Sequence, residues 1–237
     1  MKERRNKSYY PLMLDIIGKP CVIIGGGAVA QRKAESLIEA GARITLISPA
    51  CTEQLEEWAR VGHVTILKKQ YQAGMPELRE ALLIFAATNQ AEINAAVRLE
   101  AESMGKLVTV ADDSERSGFI VPAVVRRGKL VISVSTAGAS PAVAKRVRHE
   151  LEKTYGEEYE VYLELLHELR VLIKEKVRDT VDRQVIYKSM LEWELLGWIR
   201  SGGFVSSTKR ELMEHIAADP TLAGMKQLDK WIREHSQ

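Results

Sequence analysis

The feature that most constrains the fold is a short apolar run followed at once by three glycines. Residues 21–24 are apolar and mostly β-branched, which predicts a buried parallel strand. The glycines then open a segment of helical pattern that ends before Gly41, a C-terminal stop. Gly25-x-Gly27-x-x-Ala30 matches the dinucleotide-binding fingerprint, with alanine in its last place.

Each position of this fingerprint has a physical role. Gly25 permits a tight turn, Gly27 lets the backbone approach a pyrophosphate, and Ala30 is small enough for the helix to pack on its strand. Phosphates would bind the free N–H groups at the helix N-terminus. A purely structural turn can also carry such glycines. Nucleotide binding is the favoured interpretation, because strand, turn, helix, glycine stop and a second strand at 43–47 follow in the required order.

Apolar runs and helical patterns alternate through the first half of the chain. This alternation predicts an α/β fold with a Rossmann-type parallel sheet, whose ligands bind outside the carboxyl ends of the strands. The predicted strands after the first are 43–47, 64–67, 82–87 and 107–110, and further helices are predicted at 52–60, capped by Thr52, and at 91–103.

The choice between NAD and NADP rests on the end of the second strand. The acidic residue that usually holds the ribose hydroxyls is absent, and Ser48 stands in its place. Ser48, or backbone groups of Pro49 and Ala50, could replace that carboxylate. We expect NAD as the cofactor because no cation stands ready for a 2′-phosphate. Thr88, which follows the fourth strand, is a further candidate cofactor-binding residue.

The segment after the fifth strand is strongly basic. Seven Arg and Lys residues and no Asp or Glu lie between Arg116 and His149. Such a run can be a solvated face, but it also contains a Gly/Ser/Thr loop and a helix start at Ser140-Pro141, so it predicts a site for a small polyanion. Nucleic acid is not expected, because Phe119 is the segment's one aromatic residue. The candidate substrate-binding residues are Arg116, Lys129, Thr136, Ser140, Lys145 and Arg146.

The remaining patterns divide the chain into three parts. Residues 119–125 and 130–135 predict a hairpin joined through 126–129. From about residue 157 the chain has helical periodicity, with a second helix at 184–200, a third capped at Thr208 and a last one beyond Asp219-Pro220. We therefore expect a dinucleotide-binding domain at 1–112, a small α+β dimerisation and substrate-binding segment at 113–151, and a C-terminal helical domain at 152–237.

Composition excludes several classes of protein. With 237 residues, 46% hydrophobic and 28% charged, the chain has the composition of an ordinary globular protein, and its net charge of +2 gives no argument for nucleic acid. No apolar run suits a membrane span or a signal peptide. The two cysteines and five histidines lack metal-ligand spacing, so we expect no metal site, free thiols and a cytoplasmic location.

Three motifs together resemble one known family. They are the glycine loop continued to Lys33, Asp112 with the run at 117–123, and the loop at 135–141. In that order they resemble precorrin-2 dehydrogenase, the dehydrogenase/ferrochelatase module of siroheme synthase. The likeness covers about residues 9–151, whereas the helical segment resembles the family only in composition and placement. Since no methyltransferase domain follows, the chain looks like the stand-alone form.

The resemblance implies an activity and a set of roles. Family members oxidise precorrin-2, which carries eight carboxylates, to sirohydrochlorin with NAD⁺, and some then insert Fe²⁺. It implies a homodimer, NAD contacts at Ala28, Val29, Pro49 and Ala50, and a catalytic role for Asp112 as proton acceptor. A turn-forming role for Asp112 stays open, although Asp113 is the nearer candidate for that role.

Two departures and two alternatives accompany this interpretation. Thr109 stands where many relatives have Asn, and Thr136 stands where some carry a second Ser. A non-catalytic module that senses NAD(H) is the alternative function. A general small-acid dehydrogenase lacks an obvious His or Lys base, and the histidines do not decide whether metal is inserted.

Overall fold

The computed structural model describes residues 7–111, 113 and 115–236, and the chain divides into two compact units, Met1–Val121 and Pro122–Gln237. The first unit alternates strands and helices, as predicted. Its elements are β1 Pro20–Ile24, α1 Ala28–Glu39, β2 Arg43–Ile47, α2 Glu53–Arg60, β3 Val64–Leu67, α3 Pro76–Glu80, β4 Leu83–Ala86, α4 Ala91–Ser103 and β5 Leu107–Val110.

All five strands of the first unit pair in parallel, in the order β3-β2-β1-β4-β5. The strands end level, since Ile24 pairs with both Ile47 and Ala86, and Ala86 pairs with Val110. The strands β2 and β3 are added on one side of β1, and β4 and β5 are then added on its other side. This reversal between β1 and β4 creates the crevice in which doubly wound sheets bind ligands.

Helices cover both faces of this sheet, which explains why the strands are apolar on both sides. On one face, Ala30 and Ala34 of α1 and Leu55 of α2 are buried against alternate strand residues. On the other face, Leu78 of α3 and Val97 of α4 are buried against the remaining strand residues. The small residues of α1 let that helix approach the sheet closely, as the fingerprint predicted for Ala30.

Two local sequence signals in the first unit are confirmed, and one short helix was not predicted. Gly41 has a positive φ of 72° directly after α1, and the Thr52 hydroxyl accepts a hydrogen bond from the Leu55 amide at the start of α2. The short helix α3 was not predicted. It has only five residues, too few for apolar periodicity to reveal, and Leu78 alone is buried.

The second unit begins with an antiparallel hairpin and continues as helices. Its elements are β6 Ala123–Arg127, β7 Leu130–Val134, α5 Pro141–Thr154, α6 Glu158–Lys176, α7 Thr180–Ser189, a 3₁₀ turn Met190–Glu192, α8 Leu195–Arg200, α9 Ser206–Ala218 and α10 Leu222–His235.

The hairpin turn is tighter than predicted. Arg126 and Arg127 belong to β6, and Arg127 pairs with Leu130, so the turn is Gly128-Lys129 alone. Gly128 has a φ of 52°, a conformation that glycine adopts without strain. The strand β6 also begins later than expected, at Ala123.

Two helix predictions in the second unit are wrong, one in its continuity and one in its first residue. The expected helix at 184–200 is split, because Trp193 takes an extended backbone (φ −77°, ψ 140°) and lies buried in the helical core. Thr208 does not cap α9, which begins at Ser206. By contrast, the periodicity of α6 is confirmed, since Leu165, Leu169 and Ile173 are all buried.

Among the described residues, no helix combines the length and apolar character needed to cross a bilayer.

Candidate functional site

The glycine loop joins β1 to α1 at the point where the sheet reverses. Gly25 has a φ of 126°, and a Cβ there would lie 2.3 Å from the Ala87 carbonyl oxygen, so no larger residue fits. The Ala87 amide donates to the Ile24 carbonyl at 2.8 Å, and the Gly25 amide donates to the Ile47 carbonyl at 3.0 Å. Gly25 therefore lies where β1, β2 and β4 end together.

The middle glycine has a packing role that the fingerprint did not predict. A Cβ on Gly26 would lie 2.1 Å from the Ala50 carbonyl oxygen and 2.8 Å from the Ser48 hydroxyl. The Gly26 carbonyl also accepts a hydrogen bond from the Thr52 amide at 2.9 Å. This glycine thus holds the loop after β2 against the glycine loop. The triple glycine in the sequence was the one signal that could have suggested it.

Gly27, in contrast, faces open space. It precedes α1 with φ −86° and ψ −173°, and nothing lies within 4 Å of where its Cβ would be. No side chain caps α1, its first turn contains no acidic residue, and Gly27 and Ala28 are exposed while Val29 is half-buried. Free N–H groups and the helix dipole at such an end favour an anion. The loop therefore fits a pyrophosphate at Gly27.

The residues predicted after β2 lie beside this loop. Pro49 and Ala50 are exposed. Ser48 is buried, and its hydroxyl donates to the Ala50 carbonyl at 2.6 Å, so its proton is used inside the loop. Burial raises the pKa of the neighbouring Cys51 thiol, and the Glu56 carboxylate raises it further.

Thr88 is held in place by a residue that the sequence did not single out. The Asn94 Oδ1 accepts hydrogen bonds from the Thr88 amide at 3.1 Å and the Thr88 hydroxyl at 2.7 Å. The Asn94 Nδ2 donates to the Thr88 carbonyl at 3.0 Å. Asn94 is buried on α4, where a polar side chain inside an apolar helix face could have drawn attention. The turn after β4 is thereby fixed beside Gly25.

A cleft of about 120 Å³ opens at the carboxyl ends of β4 and β5. The first two turns of α1 form its other wall. Its lining residues are Val29, Arg32, Lys33, Phe85, Ala86, Ala87, Thr109, Val110 and Ala111. Phe119 packs edge-on against Phe85, with ring centroids 5.5 Å apart.

A buried serine makes the hydrogen bonds that connect the described residues after β5. The Ser117 hydroxyl accepts from the Val110 amide at 2.9 Å and donates to the Asp113 carbonyl at 2.6 Å. The Asp113 carboxylate accepts from the Arg116 amide at 2.9 Å and pairs with the Arg116 guanidinium at 3.3 Å. The turn-forming role expected of Asp113 is thus observed. Asp112, the candidate catalytic residue, lies outside the described residues.

In the second unit, the Thr136–Ser140 loop forms as its sequence suggests. The Ser140 hydroxyl accepts from the Val143 amide at 3.3 Å and caps α5, with Pro141 at the first helical position. The Thr136 hydroxyl donates to the Ser140 carbonyl at 3.0 Å and accepts from the Ser140 amide at 3.1 Å. These bonds fix the loop, so both hydroxyls act within it.

Most of the predicted substrate-binding cations have acidic partners from beyond the basic segment. Lys129 pairs with Glu164 at 3.1 Å, and Arg146 pairs with Glu150 at 3.1 Å, all four side chains being well exposed. Lys145 is exposed and makes no ion pair with another described residue. Exposed pairs contribute only about 0–1 kcal/mol, so a polyanion can displace these carboxylates at small cost.

Comparison with known proteins gives consistent family matches. Residues 12–123 match a family model described as NAD(P)-binding, and residues 127–154 match one described as sirohaem biosynthesis protein central. A siroheme synthase of Nitrosococcus oceani is 33% identical over 194 residues, which are 82% of this chain and 41% of the relative. This chain thus spans less than half the length of that siroheme synthase.

Two further proteins are similar over most of their own length. A precorrin-2 dehydrogenase of Priestia megaterium is 33% identical over 164 residues, which are 69% of this chain and 80% of the relative. A solved structure described as SirC, precorrin-2 dehydrogenase, superposes with a TM-score of 0.63 at 27% identity, covering 95% of this chain and all of that one. The expected parallel sheet, hairpin and helical region are therefore confirmed as the fold.

Proposed function

Because the chain belongs to the family of precorrin-2 dehydrogenases and siroheme synthases, we propose that it oxidises precorrin-2 to sirohydrochlorin with NAD⁺. The observation that carries this proposal is the arrangement at the sheet reversal. The uncapped N-terminus of α1 at Gly27 lies beside a cleft that is lined by Thr109–Ala111, directly before Asp112 in sequence. The proposed cofactor loop and the residues that directly precede Asp112 in the chain thus meet at one sheet edge.

The cofactor roles follow from the same loop. Amide groups at Gly27, Ala28 and Val29 bind the pyrophosphate, and Gly25 keeps the turn that presents them. Exposed backbone of Pro49 and Ala50 contacts the adenosine ribose, with Ser48 fixing that loop through its bond to Ala50. Thr88, held by Asn94, lies beside Gly25 of the glycine loop.

The oxidation removes two electrons and two hydrogen nuclei from the substrate. NAD⁺ held at the glycine loop would supply the acceptor for the hydride. Asp112 accepts the proton that leaves as the carbon skeleton gains its new double bond. Asp113 does not share this role, because its carboxylate is engaged with the Arg116 amide and guanidinium.

The basic segment binds the carboxylates of precorrin-2 in this proposal. Lys145 is available at the surface, and the exposed cations Lys129, Arg146 and Arg116 exchange their present carboxylate partners for those of the substrate. Thr136 and Ser140 shape the loop at the start of α5. The tetrapyrrole thereby supplies negative charge to a segment that has none of its own.

A homodimer and a cytoplasmic location belong to the same proposal. Helix α5 has 14 residues and buries none of them, and Val143 on it is 49% exposed. A second copy of the chain would cover this face. Light scattering at micromolar concentration should give twice the monomer mass; a monomer would contradict the assignment. The two cysteines are free thiols, as a reducing compartment requires.

The experiment that tests the activity is formation of NADH at 340 nm on mixing protein, NAD⁺ and precorrin-2. We expect turnover with NAD⁺ and little with NADP⁺. A protein that binds NAD yet leaves precorrin-2 unchanged would contradict the proposal and favour the NAD(H)-sensing alternative. The same mixture with added Fe²⁺ or Co²⁺ reports metal insertion as a separate absorbance change.

A further inference from the structure

The cleft beside β4 and β5 carries a feature that the proposed function does not use. Arg32 and Lys33, one turn into α1, form the polar part of its wall. The rest of the lining is apolar side chains, backbone and Thr109. An exposed guanidinium beside an apolar floor suits a ligand group that is itself a carboxylate on a short carbon chain.

Arg32 is well suited to bind such a group. It is exposed, and its guanidinium makes no hydrogen bond or ion pair with any other residue in the part of the chain that the structure describes. Its planar fork can donate two parallel hydrogen bonds to one carboxylate. Its helix places it directly after the loop that fits the pyrophosphate, so an anion bound there lies next to the cofactor.

The charge of the cleft argues against the nicotinamide ring as its occupant. The oxidised ring is positive, and the exposed Arg32 guanidinium in the wall disfavours it. The volume argues against the tetrapyrrole ring, because about 120 Å³ is well below the roughly 300–1,000 Å³ of pockets that enclose a whole small molecule. A single anionic substituent fits both the size and the charge.

We propose that Arg32 binds one carboxylate of the substrate in this cleft. The inference rests on the proposed function and refines it. Most candidate substrate-binding residues lie in the second unit, whereas this anchor lies at the sheet edge, beside the cofactor loop and Thr109–Ala111. Fixing one carboxylate there orients the ring system so that a single carbon faces the hydride acceptor.

The test compares Arg32→Gln with a matched control. Arg43 is also exposed, lies at the amino end of β2 and makes no ion pair with another described residue, so Arg43→Gln removes the same charge at the opposite edge of the sheet. Steady-state kinetics with precorrin-2, titration with NADH, and equilibrium binding of sirohydrochlorin followed by absorbance are measured on each protein.

We expect Arg32→Gln to raise the KM for precorrin-2 and the Kd for sirohydrochlorin about tenfold to a hundredfold, the range for losing a hydrogen bond to a charged group. The Kd of Arg32→Gln for NADH should stay at the parent value, and Arg43→Gln should match the parent in all three constants. Arg32→Lys should have a KM between those of the parent and Arg32→Gln, since lysine keeps the charge but lacks the planar guanidinium.

Two results would overturn the inference while leaving the proposed function intact. One is a parent-like KM in Arg32→Gln; the other is an equal loss of NADH affinity, which would place Arg32 at the cofactor. A parent protein that binds NADH and does not oxidise precorrin-2 would instead overturn the proposed function, and this inference with it.

Discussion

Asn94 binds Thr88 through both polar atoms of its side-chain amide, and this pair fixes the turn where β4 ends. Oδ1 accepts from the Thr88 amide and hydroxyl at 3.1 and 2.7 Å, while Nδ2 donates to the Thr88 carbonyl at 3.0 Å. The turn lies against Gly25, whose missing Cβ leaves room for the Ala87 carbonyl. A buried side-chain amide thus sets the shape of one wall of the proposed cofactor site.

The Asn94–Thr88 pair predicts a loss of stability on truncation. Asn94→Ala removes the partner of the amide and carbonyl of half-buried Thr88, which we expect to lower the free energy of unfolding by about 1–3 kcal/mol. Urea denaturation measures this. Asn89→Ala, at an exposed position of the same turn, is the control and should unfold at the parent midpoint.

Replacing Gly27 should separate stability from cofactor binding. Gly27 lies in open space with N-cap geometry, so Gly27→Asp should fold and stabilise the protein without cofactor by a few tenths of a kcal/mol, since aspartate caps helices slightly better than glycine. Its charge should repel the pyrophosphate and abolish NADH binding, measured by fluorescence titration. Gly27→Ser, a neutral cap, should keep part of the affinity. Undiminished binding in Gly27→Asp would refute the nucleotide site.

The two adjacent aspartates should differ in their effect on catalysis. Asp112→Ala should lower kcat by about 10²-fold or more, the scale for losing a positioned general base, with little change in the Kd for NADH. Asp113→Asn should keep kcat near the parent value, because an amide oxygen can still accept from the Arg116 amide. Parent-like turnover in Asp112→Ala would show that Asp112 is only a turn residue.

Lys145 should attract the carboxylates of precorrin-2 through long-range electrostatics. Lys145→Ala should raise the KM for precorrin-2 severalfold at low ionic strength, and the difference should shrink as salt screens the charge. Lys174→Ala removes an exposed charge from α6 and should leave the KM unchanged. The KM of each protein is measured at two salt concentrations. An increase in KM that does not depend on salt concentration would contradict electrostatic binding.

The Glu158–Arg200 pair should make the second unit sensitive to acid. Two hydrogen bonds from the Arg200 guanidinium, at 3.0 and 2.6 Å, hold the pKa of the Glu158 carboxyl below its usual range. The pair therefore stabilises the folded state above the unfolded pKa of about 4.3, and this contribution is lost as the pH falls through the folded pKa.

Urea midpoints measured across pH test this pair. Glu158→Gln should be less stable than the parent at pH 7, by no more than about 1 kcal/mol because the Arg200 side chain of the pair is well exposed. The gap should close progressively below about pH 4. Glu175→Gln, on the same helix and without an ion pair to another described residue, should follow the parent at every pH.

Local sequence signals determined much of the first unit. Continuous apolar runs predicted all five strands, since a strand buried on both faces needs such a run. The helix cap at Thr52 and the stop at Gly41 depend only on residues within a turn of each other, so a short window of sequence contains them. The same holds for the Ser140 cap of α5.

Local patterns failed where distant residues decide the structure. The extended backbone of Trp193 divides a segment whose periodicity alone reads as one helix, because burying that side chain in the helical core outweighs the local preference. The carboxylates that pair with Lys129 and Arg146 lie outside the basic segment. The composition of that segment alone therefore predicted more unpaired positive charge than the structure has.

The sequence by itself determined the strand–glycine–helix unit and its place at the carboxyl edge of a parallel sheet, because apolar periodicity and glycine conformation act within a few residues. Only the tertiary structure decided that Gly26 must be glycine, that Asn94 holds Thr88, and that Arg32 lines the cleft beside β4 and β5. The Asn94–Thr88 bonds depend on the shape of the turn between β4 and α4. The surroundings of Gly26 and Arg32 depend on residues brought together by strand order, and strand order is set by the packing of the whole sheet.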